Sequence, residues 1–358
     1  MLTFITKRLW YGLLVLLGVV TVVFFLFNIL PGDPARMMLG QRADISSVES
    51  IRHELGLDRP VHKQYLHYLN DLSPISLHRH DRSESLIYLD DDMYRYAPLL
   101  SAGKLTLVVK EPYLRRSYQS NRDVTGILWS AFPNTLLLAS VSILFAMVAG
   151  IMLGTFIALK SRPWLSRGTL VFSVLGMSLP SFFAAILMAW VFAYLLGDVT
   201  GLNMTGSLWD VDDFGRGEYI AWQNLILPAA TLGIRPLAIV TELTRSSLSN
   251  VMAQDYIRTA RAKGLSAYRV ITRHALKNAM NPVITAVSGW FASLMAGAVF
   301  VEYVFDWKGV GVVIVDALEY YDFPVLMGAV LSISVVLVLL NITVDVIYAW
   351  LDPRVRLT

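Results

Sequence analysis

The chain has 358 residues, of which 55% are hydrophobic and only 16% are charged, and its mean hydropathy is +0.55. Soluble domains usually carry about a quarter charged residues, so this composition predicts an integral membrane protein. The sequence contains no cysteine, which excludes disulfides, thiolate metal sites and a catalytic thiol.

Six hydrophobic runs are long enough to cross a bilayer, which takes about 20 helical residues. Lys7 and Arg8 precede the first run. That run exceeds the roughly 7 to 15 residues of a signal-peptide core, so it is predicted to be a retained span. The predicted fold is therefore an all-α integral membrane protein with six transmembrane helices. The predicted spans are residues 9–30, 134–159, 169–196, 225–247, 283–301 and 324–350.

The loops between these runs differ in charge. Residues 160–168 contain three Lys or Arg and no acid, and the segment 255–282 contains six Lys or Arg and one acid. The loops 197–224 and 302–323 are acidic. Because cytoplasmic loops of membrane proteins are rich in Lys and Arg, both chain ends are predicted to be cytoplasmic. The net charge of +3 is thus a topology signal, and no nucleic-acid partner is predicted.

The loop 31–132, between the first and second spans, is predicted to be extracytoplasmic and partly folded. Val48–Leu57 and Val61–Leu72 have helical periodicity. The segment KLTLVVKEPYL alternates like a strand that Pro112 interrupts. The polar segment DLSPISLHRHDRSES is predicted to be the most mobile part of the loop. Its His78 and His80 lack supporting ligands, so an ordinary exposed loop is favoured over a metal site.

No catalytic or nucleotide-binding motif is found in the sequence. A phosphate-binding loop needs Gly-Lys followed by Ser or Thr, whereas Gly103-Lys104 is followed by Leu105. Ionisable residues inside spans are candidates for ion relays. Glu242 and Asp345 are the candidates of this kind, but a local pair with Arg245 and a terminal position explain them more simply. Any work done by this chain must therefore draw on other subunits.

The cytoplasmic segment DYIRTARAKGLSAYRVITRHALKNAMNP predicts a helix, a sharp turn and a second helix. The first helix is predicted over Val251–Lys263, Gly264 supplies a left-handed stop, and Ser266 caps the second helix, which runs to Asn281. Such an elbow fits a groove on another protein. A solvated basic loop near anionic lipid is an equally good interpretation of these residues alone. The predicted docking contacts are Tyr256, Ala260 and Leu265, with Arg258 and Lys263 as polar contacts.

This segment resembles the cytoplasmic loop of the permease subunits of binding-protein-dependent ABC importers, specifically the dipeptide and oligopeptide branch. Aligned on Gly264, Ala260 also matches the general family motif, while Arg258 and Thr259 replace its Glu and first Ala. The segments LPGDP, FPNTLLLA, DFPVLMG and LDPRVR resemble other parts of the same branch. The resemblance covers residues 9–40 and 125–356, and residues 75–120 look like an insertion.

The resemblance implies the partners and the mechanism. It implies a second homologous permease subunit, two ATP-binding subunits that hold ATP and magnesium, an extracytoplasmic substrate-binding protein, and the lipid of a bacterial inner membrane. This chain would then form the pathway for peptides without itself being an enzyme or holding a cofactor. The residues implied to contact the ATPase are Tyr256, Arg258, Thr259, Ala260, Ala262, Lys263, Gly264 and Leu265.

Other interpretations stay open at this stage. Related family members import nickel, opines or oligosaccharides, an ion-coupled carrier or channel needs no ATPase, and a scaffold would use the outer insertion. Polar residues in spans three and five are pathway candidates, with core packing as the alternative: Ser178, Ser181, Ser288 and Trp290. The predicted parts of the chain are the first end and span (1–30), the outer loop (31–132), the permease core (133–350, including the coupling loop 248–282) and the tail (351–358).

Overall fold

A computed structural model describes residues 2–29, 35–36, 44–54, 56–79, 88–89, 93–160, 163–211 and 217–351. The LPGDP motif, His80 and all but the first residue of LDPRVR lie outside the described residues. The chain divides into two compact units. The first comprises Met1–Trp10, Ala131–Val312 and Val335–Thr358, and the second comprises Tyr11–Ser130 and Val313–Ser334.

The secondary structure is mainly helical. The α-helices are α1 (Leu2–Ile29), α2 (Ile45–Glu54), α3 (Val61–Leu72), α4 (Val124–Lys160), α5 (Pro163–Ser178), α6 (Ser181–Met188), α7 (Gly197–Thr200), α8 (Gln223–Met252), α9 (Asp255–Ala262), α10 (Ala267–Arg269), α11 (Leu276–Ala279), α12 (Asn281–Gly297), α13 (Val299–Phe305), α14 (Val310–Glu319) and α15 (Phe323–Leu351). Two π-helical segments span Ala189–Leu195 and Val270–Ala275. The strands are β1 (Ile75–Arg79), β2 (Tyr96–Ala102), β3 (Leu105–Lys110), β4 (Trp209–Val211) and β5 (Glu218–Ile220).

Within the described part of the chain, four helices, or six if each bent pair is one span, are long and apolar enough to cross a membrane. α1, α4, α8 and α15 are each long and apolar enough to cross a bilayer. Two further spans are broken, with bends of 108° between α5 and α6 and of 59° between α12 and α13. Pro180, at the first break, has no backbone N–H to continue a helix and disfavours the helical conformation of the residue before it. Each bent pair counts as one span or as a re-entrant loop, so the predicted number of six is the upper limit of this range.

In the first unit, α8 is the most buried of the four unbroken candidate spans. Its most apolar 18-residue window is 72% buried, against 28% in α4. The two helices approach closely at Gly150 and Gly154, a small-xxx-small pair. A Cβ atom built at Gly154 would lie 2.5 Å from the Thr241 carbonyl oxygen, so only glycine fits there. This contact places α8 against α4 in the core of the unit.

Two of the FPNT residues at the beginning of this core, Asn134 and Thr135, take part in a hydrogen-bonded network. Asn134 donates through Nδ2 to the Lys308 carbonyl at 2.7 Å, and its own carbonyl accepts from the Trp307 indole at 3.0 Å. Thr135 Oγ1 accepts from the Val310 amide at 2.8 Å. Glu302 is fully buried and accepts from the Gly311 amide at 2.6 Å. These bonds join α4 to the turn between α13 and α14.

The second unit contains a three-stranded antiparallel sheet in the order β1-β3-β2, so the prediction of an all-α protein is wrong for the outer loop. The predicted strand is confirmed as β3, which ends before Pro112. The second predicted helix is confirmed as α3, and the first lies three residues earlier, as α2. The prediction of a mobile segment with an exposed His78 is wrong for residues 75–79. They form β1, and His78 is fully buried within hydrogen-bonding distance of Ser76, 2.9 Å between Nε2 and Oγ.

A second motif of the resemblance, DFPVLMG, begins with a carboxylate that holds the end of the outer loop. Asp322, which is 5% exposed, accepts hydrogen bonds from the Ser117 hydroxyl at 2.5 Å and from the Tyr118 amide at 3.0 Å. Both partners lie shortly before α4 in the chain, and Asp322 directly precedes α15. The carboxylate therefore joins two chain segments that are distant in sequence.

A buried ionic cluster forms the centre of the sheet-bearing part. Asp71, at the end of α3, is 1% exposed. Its carboxylate accepts from the Tyr94 hydroxyl at 2.7 Å and forms an ion pair with Arg115 at 2.9 Å. His67 Nε2 lies 3.8 Å from the same carboxylate. Lys110 Nζ lies over the Tyr94 ring, 3.8 Å from its centroid.

We expect Lys110 to make the stability of the outer sheet depend on pH. Lys110 is 3% exposed, its ammonium has no hydrogen-bond partner among the described residues, and burial lowers its pKa to about 8. The cost of burying this charge is fully present below pH 8 and falls as the pH rises from about 8 towards the unfolded pKa of about 10.4. The sheet should therefore gain stability over this range.

Replacing the charge should remove this dependence. Lys110→Met should stabilise the sheet at pH 7 by about 1 to 3 kcal/mol, because the attraction to the Tyr94 ring offsets part of the burial cost. Hydrogen exchange of residues 105–113, corrected for the intrinsic effect of pH, measures the gain at pH 7 and pH 9. Lys104→Met, at an exposed position of the β2–β3 turn, is the matched control. Equal protection in the two variants would contradict the prediction.

Candidate functional site

The basic segment forms an elbow, which we define as residues 255–269. α9 begins after an extended Gln254 and ends at Ala262, with Lys263 as its C-cap. Gly264 has φ +76°, in the left-handed region, and the backbone at Ser266 is extended before α10 begins. The predicted sequence of helix, left-handed glycine and helix is thus confirmed. Its bounds differ in two ways: residues 253–254 separate α9 from α8, and the second helix is π-helical over Val270–Ala275.

The inner face of the elbow is anchored in a small apolar cluster. Ile257 is fully buried and Ala260 is 7% exposed, and both pack with Leu248, Val270 and Ala275. The methyl group of Ala260 packs within its own subunit, and its predicted contact with a partner stays a prediction. Ile257, which the sequence analysis did not single out, is the main anchor. Its spacing of three from Ala260, on a single helix, is the signal that identifies this inner face.

The other predicted residues of the elbow are outside this cluster or at its edge. Arg258 is 75% exposed and lies 3.3 Å from Asp255, and Leu265 packs at the edge of the cluster. Tyr256 is 42% exposed and its hydroxyl accepts a hydrogen bond from Asn278 at 3.0 Å. The exposed members of the predicted set are Tyr256, Arg258, Thr259, Ala262, Lys263 and Gly264, and Tyr268 adds a large exposed aromatic side chain that was not predicted.

A second candidate site is a narrow pocket in the first unit. It lies between α5, α6, α8 and α12 and has a volume of about 70 Å³. Of the four predicted pathway residues, Ser181 and Trp290 line this pocket, whereas Ser178 is exposed and Ser288 donates to the Ile284 carbonyl of its own helix at 2.9 Å. The remaining lining residues are Gly176, Leu179, Ala184, Thr231, Leu232, Ile234, Arg235, Ser293 and Leu294.

Ionisable side chains in the candidate spans form specific contacts. Glu242 and Arg245 pair at 2.5 Å, which confirms the predicted local pair. Asp345 pairs with Arg8 of α1 at 3.0 Å, so its carboxylate joins two helices and is not an isolated terminal group. Arg235 is an additional ionisable group in the middle of α8, and it donates from Nη2 to the Leu179 carbonyl at 2.7 Å. Arg235 was not predicted as a candidate, because the sequence prediction considered only the carboxylates of the spans, Glu242 and Asp345.

The fold and the elbow define a helical membrane protein with several spans and an exposed cationic segment in one loop. Residues 150–357 match the family model described as the inner membrane component of binding-protein-dependent transport systems, and residues 1–80 match the N-terminal model of the same systems.

Two permease proteins are similar to this chain over nearly its whole length. The glutathione transport system permease protein GsiC of Escherichia coli K12 is 34% identical over 357 residues, and the match covers 99% of each chain. The di/tripeptide transport system permease protein DppB of Pseudomonas aeruginosa is 33% identical over 370 residues, again over 99% of each chain. The inward-facing MetNI methionine ABC transporter is 15% identical over 64% of this chain and 97% of that chain, with a TM-score of 0.48.

The chain belongs to the family of binding-protein-dependent transport system inner membrane components, and it is a permease subunit of an ABC importer. The resemblance recognised in the elbow is thereby confirmed.

Proposed function

We propose that the elbow is the segment through which separate ATPase subunits drive this permease. The observation that supports this role is the combination of an anchored inner face, where Ile257 is fully buried, and an exposed outer face that carries Arg258 and Lys263. A rigidly anchored helix transmits a push to the helices behind it, whereas a loosely solvated loop does not. α9 follows α8 after only two residues, so a push on the elbow acts directly on a central span.

The proposed assembly contains one more permease subunit, two ATP-binding subunits and an extracytoplasmic substrate-binding protein. ATP and magnesium belong to the ATP-binding subunits, and this chain is neither an enzyme nor a cofactor protein. The proposed topology has six spans, with both chain ends in the cytoplasm of a bacterium and the loop 31–132 outside its inner membrane. The basic loops at 160–168 and 255–282 support this orientation. In this arrangement the permease core is residues 133–350, flanked by the first span (1–30) and the cytoplasmic tail (351–358). ATP binding would bias an equilibrium between inward-open and outward-open states.

The proposed cargo is a short peptide. Two similar permeases act in glutathione and di/tripeptide transport systems, as their names state, and each match covers 99% of this chain. Nickel, opines and oligosaccharides are the alternative cargoes that the family resemblance allows. An ion-coupled carrier without ATPases is the alternative from another class, but Glu242 and Asp345 each have a basic partner, which disfavours them as relay groups.

The test is to identify what the elbow contacts. Because the chain has no cysteine, Lys263→Cys introduces a unique thiol on the exposed face. We expect the tagged protein, purified in mild detergent, to retain a second permease and ATP-binding subunits, and a short thiol crosslinker to join the elbow to an ATP-binding subunit. Lys104→Cys, in the outer loop, is the matched control and should give no such product. A homo-oligomer without crosslinked ATPase would contradict the coupling role and favour the carrier.

A further inference from the structure

An arginine in the middle of a candidate span requires an explanation. Arg235 lies near the middle of α8 (Gln223–Met252), the most buried of the four unbroken candidate spans. A charged side chain at the centre of a membrane helix costs about 2.5 to 3.5 kcal/mol on insertion scales, and such residues usually face a cavity, pair with another group, or contact a substrate. No acidic side chain of the described residues forms a salt bridge with Arg235. Its charge is therefore not neutralised by the described part of this chain.

One structural role is visible but uses only part of the guanidinium. Nη2 donates to the Leu179 carbonyl, which lies at the break between α5 and α6. A cation near a helix C-terminus also interacts favourably with the helix dipole. A guanidinium has five N–H donors, however, and Nε is buried and has no hydrogen-bond partner among the described residues. Capping the break therefore does not account for this buried donor.

The pocket beside Arg235 suits a small anion. Arg235, Ser181, Thr231 and Ser293 are its polar lining residues, and Trp290 supplies an aromatic wall. The volume of about 70 Å³ admits a few water molecules, or a carboxylate group, but not a whole peptide. Guanidinium and carboxylate form two parallel charge-assisted hydrogen bonds, a geometry that ammonium cannot reproduce.

We propose that Arg235 binds a carboxylate group of the cargo in this pocket during translocation. The inference rests on the proposed peptide cargo, because every free peptide carries a terminal carboxylate. It makes Arg235 a specificity-determining residue for anionic cargo, and it predicts that a peptide with an amidated C-terminus does not occupy the pocket. The helix break positions the arginine, and the arginine in turn positions the cargo.

The test measures occupancy of the pocket directly. The complete complex, purified without the substrate-binding protein, is titrated with dialanine and with dialaninamide while the fluorescence of Trp290 is followed. Trp290→Phe identifies the share of the signal that this tryptophan contributes. We expect dialanine to change the signal and dialaninamide to leave it unchanged. Arg235→Gln, which keeps a donor for the Leu179 carbonyl, should weaken dialanine binding at least tenfold, as expected for loss of a hydrogen bond to a charged group.

Two controls separate the possible outcomes. Thr343→Ala, at an exposed position of α15 outside the pocket lining, should bind dialanine like the wild type. Equal responses to dialanine in Arg235→Gln and wild type, or no response in either, would overturn the inference. Uptake of radiolabelled dialanine by the wild-type complex with its binding protein tests the proposed cargo separately. Uptake without a fluorescence response would refute only the role of Arg235, whereas absence of peptide uptake would refute the cargo and this inference together.

Discussion

Gly264→Val is expected to reduce transport strongly while leaving the protein in the membrane. The native φ of +76° lies in the left-handed region, where a β-branched residue is a genuine outlier. Holding valine there costs about 1 to 3 kcal/mol, so the native elbow becomes about 5- to 150-fold less populated relative to alternatives. A Cβ atom at this position meets no other atom within 4 Å, so the expected effect comes from the backbone alone. Uptake of radiolabelled dialanine, normalised to the amount of protein in the membrane, measures the loss.

Gly264→Asn is the matched control for this substitution. Asparagine also adds a side chain but tolerates the left-handed conformation far better than valine does. Transport should therefore be largely retained in Gly264→Asn and lost in Gly264→Val. Full uptake by both variants would show that the turn geometry is not needed for coupling. Equal loss would indicate that the exposed surface at this position, and not the backbone conformation, is what the partner recognises.

The elbow could be predicted because its signals are local. A glycine between a helical segment and a serine determines the turn within a few residues, and Gly264 has the expected conformation. The burial of Ala260 was not predicted, because it depends on packing against Leu248 and Val270. Whether a small residue on an amphipathic helix is exposed depends on which face of the helix packs against the rest of the protein. In a short helix, the hydrophobic periodicity that identifies this face covers few residues and is weak.

Hydropathy predicted two continuous spans where the structure has breaks. Pro180 is visible in the sequence and accounts for the break between α5 and α6. The bend between α12 and α13 lies at Ala298, directly after Gly297, and a glycine lowers the stability of a helix without fixing a bend. α13 is instead held by contacts with other parts of the chain. Trp307 donates to the Asn134 carbonyl, and Glu302 contacts Thr135 and accepts from the Gly311 amide. Such contacts leave no periodic pattern.

The outer loop shows the same division between local and distant signals. β3 was predicted from alternation within six residues, whereas β1 was hidden in a polar segment. His78 is buried because β1 pairs with β3, opposite Thr106. This pairing joins residues almost thirty positions apart, so composition alone favoured an exposed histidine. Arg115 and Asp71 likewise lie 44 positions apart, and nothing in either neighbourhood indicates their ion pair.

Asp71→Ala is expected to unfold the sheet-bearing part of the outer loop. The substitution removes the carboxylate that pairs with Arg115 and accepts from Tyr94, and it leaves the guanidinium of Arg115, whose side chain is 23% exposed, without its ion pair. Removing one partner of a buried pair costs about 3 to 5 kcal/mol. Burial also raises the pKa of the Tyr94 hydroxyl, so the tyrosine stays neutral and cannot replace the lost negative charge. Hydrogen exchange over residues 67–79 and 94–118 of the purified protein should therefore become much faster.

The exposed pair between Arg116 and Asp123 provides the matched control. Its atoms lie 3.2 Å apart, but the two side chains are 48% and 63% exposed. Exposed pairs contribute about 0 to 1 kcal/mol, so Asp123→Ala should leave exchange nearly unchanged. Adding Arg115→Met to Asp71→Ala should restore much of the lost protection, because the double variant no longer holds an uncompensated charge at this position. Equal exchange in Asp71→Ala and Asp123→Ala would contradict this account. Failure of the double variant to recover would instead point to the Tyr94 hydrogen bond as the dominant contact of Asp71.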